Sequence, residues 1–210
     1  FRVACDFSAH PKREDFDKWA FDEKLDLTTL FPSLKKSNVL ALDLSVSSSW
    51  IGHSVDFNDL DLFQFKINQL QKQNTDCILS GGYLEPRPIY TASAYDKVGN
   101  SGNESRSIHL GIDFWIPEAT PVHSPYKGKV VMAVIDQGEK TYGGMIVLQH
   151  EEDRNIFFSL YGHLSEDSVL SQSIGNNIAK GEQIGCIGSQ YENGNWSPHL
   201  HFQLMLSTLD

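Results

Sequence analysis

The chain has few cysteines to cross-link it. Its 210 residues hold three, Cys5, Cys77 and Cys186, far apart and never in a C-x-x-C pair. An odd, scattered set argues against a disulfide framework and against a cysteine-based zinc knuckle, so the thiols read as buried or incidental. Positive charge is also scarce: 17 Lys and Arg face 27 Asp and Glu, for a net charge of -10. Without a basic stripe the chain lacks what phosphate binding needs, which argues against a nucleic-acid partner and against a polybasic membrane contact. No apolar run approaches the roughly 20 residues of a membrane-spanning helix, so no membrane insertion is expected. The first residue is Phe1, with neither Met nor a signal-peptide pattern, which reads as a processed protein or a piece of a longer one. Three catalytic signatures are missing as well: the H-E-x-x-H helix, the G-x-S-x-G elbow and the P-loop.

What is present is an ordinary globular composition, 40% hydrophobic and 21% charged. The length suits one domain with a sizeable extension. The texture changes near residue 80. Before it, "DFDKWAFDEKLDLTTLF" and "DFNDLDLFQFKINQLQKQN" are charged and amphipathic, and "NVLALDLSV" between them reads as a strand. Leu60, Phe63, Ile67 and Leu70 recur at helical spacing, which predicts a helix over 58–73. "SGGYLEPRPIYTASAYDKVGNSGNESRS" then reads as a loop-rich crossover, its X-Pro steps favouring extended backbone. After residue 108, "KVVMAVID", "GMIVLQHE", "NIFFSLYGH", "EQIGCIG" and "HLHFQLM" read as short strands separated mostly by turns. That pattern is the mark of a mainly β sandwich or barrel. The reading divides the chain into an α/β extension, 1–80, and a β domain, 81–210.

Of eight histidines, His10, His53, His123 and His150 come without a partner pattern and read as surface or satisfied core. The other four have company. In "HLGID", His109 and Asp113 stand four apart. On a straight strand they would lie about 13 Å apart, too far to share an ion, so joint ligation needs a bend that Gly111 permits. In "HLH", His199 and His201 face the same side of a strand about 6.6 Å apart. His163 in "LYGHLS" sits beside a glycine at a strand end. Each group alone is weak, and cross-strand packing or a turn residue explains it as well. Together, two neutral imidazoles and a carboxylate make a zinc set with a position left for water. Two further histidines could move the water's proton and stabilise an oxyanion, an inventory suited to amide hydrolysis.

"HLGIDFWIPEATPVHSPYKGKVV", "YGHLS", "IAKGEQIGCIGS" and "SPHLHFQL" resemble, in order and spacing, the lysostaphin/LytM-type zinc metallopeptidases over roughly residues 85 to 206. The resemblance implies an antiparallel β barrel-sandwich, the duplicated hybrid motif, and endopeptidase cleavage of peptidoglycan cross-bridges or stem peptides. It implies Zn2+ held by His109, Asp113 and His201, with His163 and His199 as the catalytic histidines and Tyr161 as packing. Ser197 and Gln203 depart from the family pattern and point to an unusual substrate. An upstream asparagine, Asn100 or Asn103, could block the open zinc position as in latent family members. "GGYLEPRPIY" with "ENGNWSPHLHFQ" looks closest to modules of long bacterial proteins that also carry a class-III aminotransferase and a phosphotransferase-like module. That resemblance implies an excised, cytoplasmic segment with those modules as covalent neighbours; a processed cell-wall enzyme would instead be periplasmic or secreted. Two other functions stay open, a non-catalytic zinc-binding or regulatory module and a small-amide hydrolase.

Overall fold

The computed structural model describes residues 8–23, 25–35, 38–50, 58–88, 96–99, 102–105, 108–152 and 155–207. Cys5, His53 and Asn100 lie outside them, as does the side chain of Asn103. Helices α1 (Arg13–Asp22) and α2 (Leu27–Leu30) precede β1 (Asn38–Leu42), α3 (Leu60–Gln73) and β2 (Cys77–Gly81). Short strands β3 (Glu85–Pro86), β4 (Asp96–Gly99), β5 (Gly102–Ser105) and β6 (Ile108–His109) follow. Next come β7 (Ile112–Trp115), β8 (Pro121–His123), β9 (Gly128–Asp136), β10 (Gly143–Glu152) and β11 (Asn155–Leu164). The chain closes with α4 (Glu166–Leu170), β12 (Asn177–Ile178), β13 (Gln183–Cys186) and β14 (Leu200–Met205).

Among the described residues, eight strands form one sheet in the order β1-β2-β7-β14-β11-β10-β9-β12. From β2 onward its pairings are antiparallel, as expected of the β domain. The β1–β2 pair is parallel. Parallel neighbours need a crossover, and α3 supplies it, so the β-α-β segment extends the main sheet instead of forming a separate layer. Strand β2 itself spans residue 80 and pairs with β7. The loop-rich crossover also contains strands: β3 pairs with β6, and β4 with β5.

Helix α3 begins where the Asp59 carboxylate accepts the Leu62 N–H and ends where the Asn74 side-chain amide donates to the Leu70 carbonyl. Its buried residues Leu60, Phe63 and Ile67 pack with Leu44, Leu79 and Trp115. The larger core lies on the other face of the sheet, where Phe114, Ile116, Leu200 and Phe202 meet Ile146, Leu148 and Tyr161. The strand period of two separates these sets. Phe114 and Ile116 enter the larger core, while Asp113 and Trp115 turn to the face that α3 covers.

Candidate metal centre

Strands β7 and β14 place Asp113 directly opposite His201, which brings together residues far apart in sequence. His109 arrives from β6, across a break at Leu110–Gly111 that supplies the expected bend. Gly111 serves here through its lack of a side chain: it is not among the residues of positive φ, and an added Cβ would lie 2.5 Å from His201 Nε2. The result is three buried donors at one point. His109 Nε2 lies 2.9 Å from His201 Nδ1, and both lie 3.1 Å from Asp113 Oδ1.

Tautomers follow from the partners on the far side of each ring. His109 Nδ1–H donates to the Gly82 carbonyl at 2.9 Å, which leaves Nε2 a bare lone pair. His201 Nε2–H faces Gln203 Oε1 at 3.4 Å, which leaves Nδ1 bare. Two imidazole lone pairs and a carboxylate oxygen therefore converge with no proton among them. Buried acceptors that face one another are costly unless a cation fills the point, and a two-histidine, one-carboxylate set is that of a divalent metal site.

His199 and His163 flank this point. His199 Nδ1–H donates to the Ser197 carbonyl at 2.7 Å, and its Nε2 lies 3.8 Å from Asp113 Oδ1. Trp115 stacks on the His199 ring at 5.6 Å. The His163 ring centre is 4.1 Å from that of His199. His163 has a left-handed φ of 64°, a conformation that costs about 1–3 kcal/mol in a residue with a side chain. Backbone bonds hold it there: its N–H donates to Tyr142 and its carbonyl accepts from Gly188, both at 2.9 Å. Its Nδ1–H donates to the Asn193 carbonyl at 3.0 Å, so the free lone pairs of both flanking histidines are on Nε2.

Burial governs the protonation of these rings. It pushes His199 down to about 4 and His163 well below the ordinary value, with His199 and His201 adding to the effect on His163. It lowers His201 too, against the opposing pull of Asp113. Burial alone would raise Asp113, but the electrostatic pull of His109 and of the Arg87 guanidinium outweighs it and holds the carboxyl well below its usual range.

All five expected site residues thus meet at one buried place. The other described histidines do not: His10 accepts the Lys12 N–H, His123 contacts the Gly181 carbonyl, and His150 is buried between the Lys127 carbonyl and Ser159. Tyr161 is fully buried packing. Ser197 and Gln203 stand behind His199 and His201 as hydrogen-bond supports. The sequence reading gave no role to Glu85 and Arg87, though Arg87 Nη1 reaches Asp113 Oδ2 at 2.6 Å. The signal was two opposite charges, spaced i and i+2, in a segment already expected to be extended.

The model of peptidase family M23 matches residues 107–209. That segment is similar to the M23 peptidases. The chain is 35% identical over 101 residues to lysostaphin of Staphylococcus staphylolyticus, covering 48% of this chain and 19% of that protein. It is 34% identical over 109 residues to the glycyl-glycine endopeptidase ALE-1 of Staphylococcus capitis, covering 52% and 26%. The solved catalytic domain of lysostaphin from Staphylococcus simulans is 27% identical, covering 67% of this chain and 87% of that one, with a TM-score of 0.41. The chain thus spans about a fifth to a quarter of the length of those two curated relatives. The five site residues all fall inside the M23 segment, whereas α3, β2, Glu85 and Arg87 precede it.

Proposed function

We propose that this chain is a zinc-dependent metallopeptidase that hydrolyses amide bonds in the peptide part of peptidoglycan. The observation that carries the reading is the proton-free convergence of His109 Nε2, Asp113 Oδ1 and His201 Nδ1, in a segment of the M23 type. Zinc held there by His109, Asp113 and His201 would supply a Lewis acid and would lower the pKa of a water. His163 and His199 are neutral near pH 7 and keep Nε2 free, so either accepts the proton of an attacking water and returns it to the departing amine. Their rings are too close for both to carry charge, so one proton at a time passes through the pair. The Asn193 and Ser197 carbonyls hold the rings in the tautomer this requires.

The names of the relatives support the substrate class. One is a glycyl-glycine endopeptidase and another, from Vibrio cholerae, a peptidoglycan DD-endopeptidase. The test is metal content of purified protein, with release of new amino groups from peptidoglycan and from glycine-rich peptides. We expect about one zinc per chain and cleavage that His163→Ala abolishes. Protein that binds no zinc, or cleaves equally well as His109→Ala, sinks the reading. Tight zinc binding with every function indifferent to His163→Ala would favour the non-catalytic module instead.

The placement in a longer cytosolic protein rests on "GGYLEPRPIY" and "ENGNWSPHLHFQ" alone. We read residues 1–80 in that setting as the extension packed on the domain. The size and cell fraction of the native protein on an immunoblot decide it: a chain near 24 kDa, or one outside the cytosol, overturns that placement.

A further inference from the structure

Asp113 offers two oxygens, and they have different partners. Oδ1 faces His109 and His201, while Oδ2 is held by Arg87 Nη1 at 2.6 Å. The same guanidinium donates through Nε to Glu85 Oε2 at 2.8 Å. The other oxygen of Glu85 accepts the backbone N–H of Leu44, also at 2.8 Å. All three charged side chains are buried. Gly81 makes the room, since a Cβ there would lie 2.6 Å from Arg87 Nη2. The β3–β6 pairing sets Glu85 opposite His109, which fixes the clamp relative to the ligands.

A buried ion pair contributes little net stability, so this one is better understood through what it orients. A planar guanidinium that grips one carboxylate oxygen fixes both its distance and its plane. The cost of placing a cation beside a metal site is met by Glu85, whose charge cancels that of Arg87. We propose that Arg87, held by Glu85, is a positioning residue that makes Asp113 a one-oxygen ligand, and that Leu44 ties this clamp to the chain preceding the M23 segment. With Oδ2 engaged, Asp113 cannot take up the position a water needs. The inference rests on His109, Asp113 and His201 being the metal centre. It goes further in assigning the metal's geometry to residues outside the family match.

The experiment loads wild type, Arg87→Met, Arg87→Lys and Glu85→Gln with cobalt and records visible absorption, which is strong for four-coordinate cobalt and weaker for five-coordinate. Zinc affinity by chelator competition and near-ultraviolet circular dichroism accompany it. For Arg87→Met we expect weaker cobalt bands and zinc affinity reduced about 10–100-fold. Arg87→Lys restores part of both, and Glu85→Gln shifts both in the same direction by less. Folded Arg87→Met with wild-type bands and zinc affinity within about twofold of wild type overturns the clamp. If that variant does not fold, wild-type bands and affinity in both Arg87→Lys and Glu85→Gln overturn it instead. Wild type that takes up neither metal overturns the metal centre and the clamp together, whereas a metal-binding wild type with indifferent variants overturns the clamp alone.

Discussion

At the scale of single residues, the site is set by contacts that leave no slack. Gly111→Ala would drive a methyl group against His201 Nε2 and the Phe202 carbonyl, 2.5 and 2.8 Å away. We expect metal affinity to fall at least 10-fold as the ring is displaced, with about 1–3 kcal/mol of stability lost to crowding; chelator competition and urea unfolding measure the two. Protonation supplies a second prediction, for metal-free protein. His199 titrates near 6.5 when unfolded and near 4 when folded, because burial disfavours its charged form. The unfolded chain therefore binds more protons between those values, and stability falls as pH drops through that window. The loss for His199 alone reaches on the order of 3 kcal/mol by pH 4, with His163 and His201 shifted in the same direction, and is fully recovered above about 6.5. Urea unfolding from pH 8 to pH 4.5 checks the sign; stability flat across that range contradicts it. The histidines and Asp113 were legible from sequence because "HLGID", "YGHLS" and "HLH" each carry a local pattern. Glu85 and Arg87 were not, because their roles depend on β3 pairing with β6 across 23 intervening residues, including the β4–β5 hairpin.

At the scale of elements, what could be read was what has a short period. Helix α3 showed itself through Leu60, Phe63, Ile67 and Leu70, and strands β9, β10, β11 and β14 through their Val, Ile, Phe and Leu content. The partners of those elements were harder, since pairing is a long-range choice. Nothing local says that β1 runs parallel to β2, or that α3 lands on the face that carries Trp115. Yet this landing brings the helix beside the site: Phe63 meets Trp115 at 6.3 Å and Trp196 at 6.4 Å, and both indoles contact His199. Phe63→Ala should cost about 3–5 kcal/mol, as truncation of a buried aromatic does. It should also loosen the two indoles that brace His199. The expected signature is a lower midpoint in urea together with red-shifted tryptophan fluorescence in the still-folded protein. A cost below about 1 kcal/mol would mean that α3 is only lightly docked.

At the scale of the whole molecule, binding of the proposed metal and folding are one equilibrium. Folding gathers three acceptors and buries them, and it places Arg87 and Glu85 around them; the unfolded chain does none of this. Any ion that binds only the folded form stabilises it by mass action, about 4 kcal/mol when free metal exceeds its dissociation constant a thousandfold. For a chain of this length that corresponds to roughly 8–16 °C in melting temperature. Chelation should lower the melting temperature by that amount, and zinc should restore it. The same linkage separates the family segment from the molecule around it. A chain of residues 107–209 keeps the three ligands but lacks the Gly82 carbonyl, Arg87, Glu85, strand β2 and helix α3. Without them His109 loses the acceptor that fixes its tautomer, Asp113 gains a free oxygen, and Trp115 loses its cover. That segment should therefore bind zinc at least 10-fold more weakly than the full chain, and zinc should raise its melting temperature correspondingly less. Equal affinity in the two would show that the metal site is self-sufficient, and that the β-α-β segment serves the sheet alone.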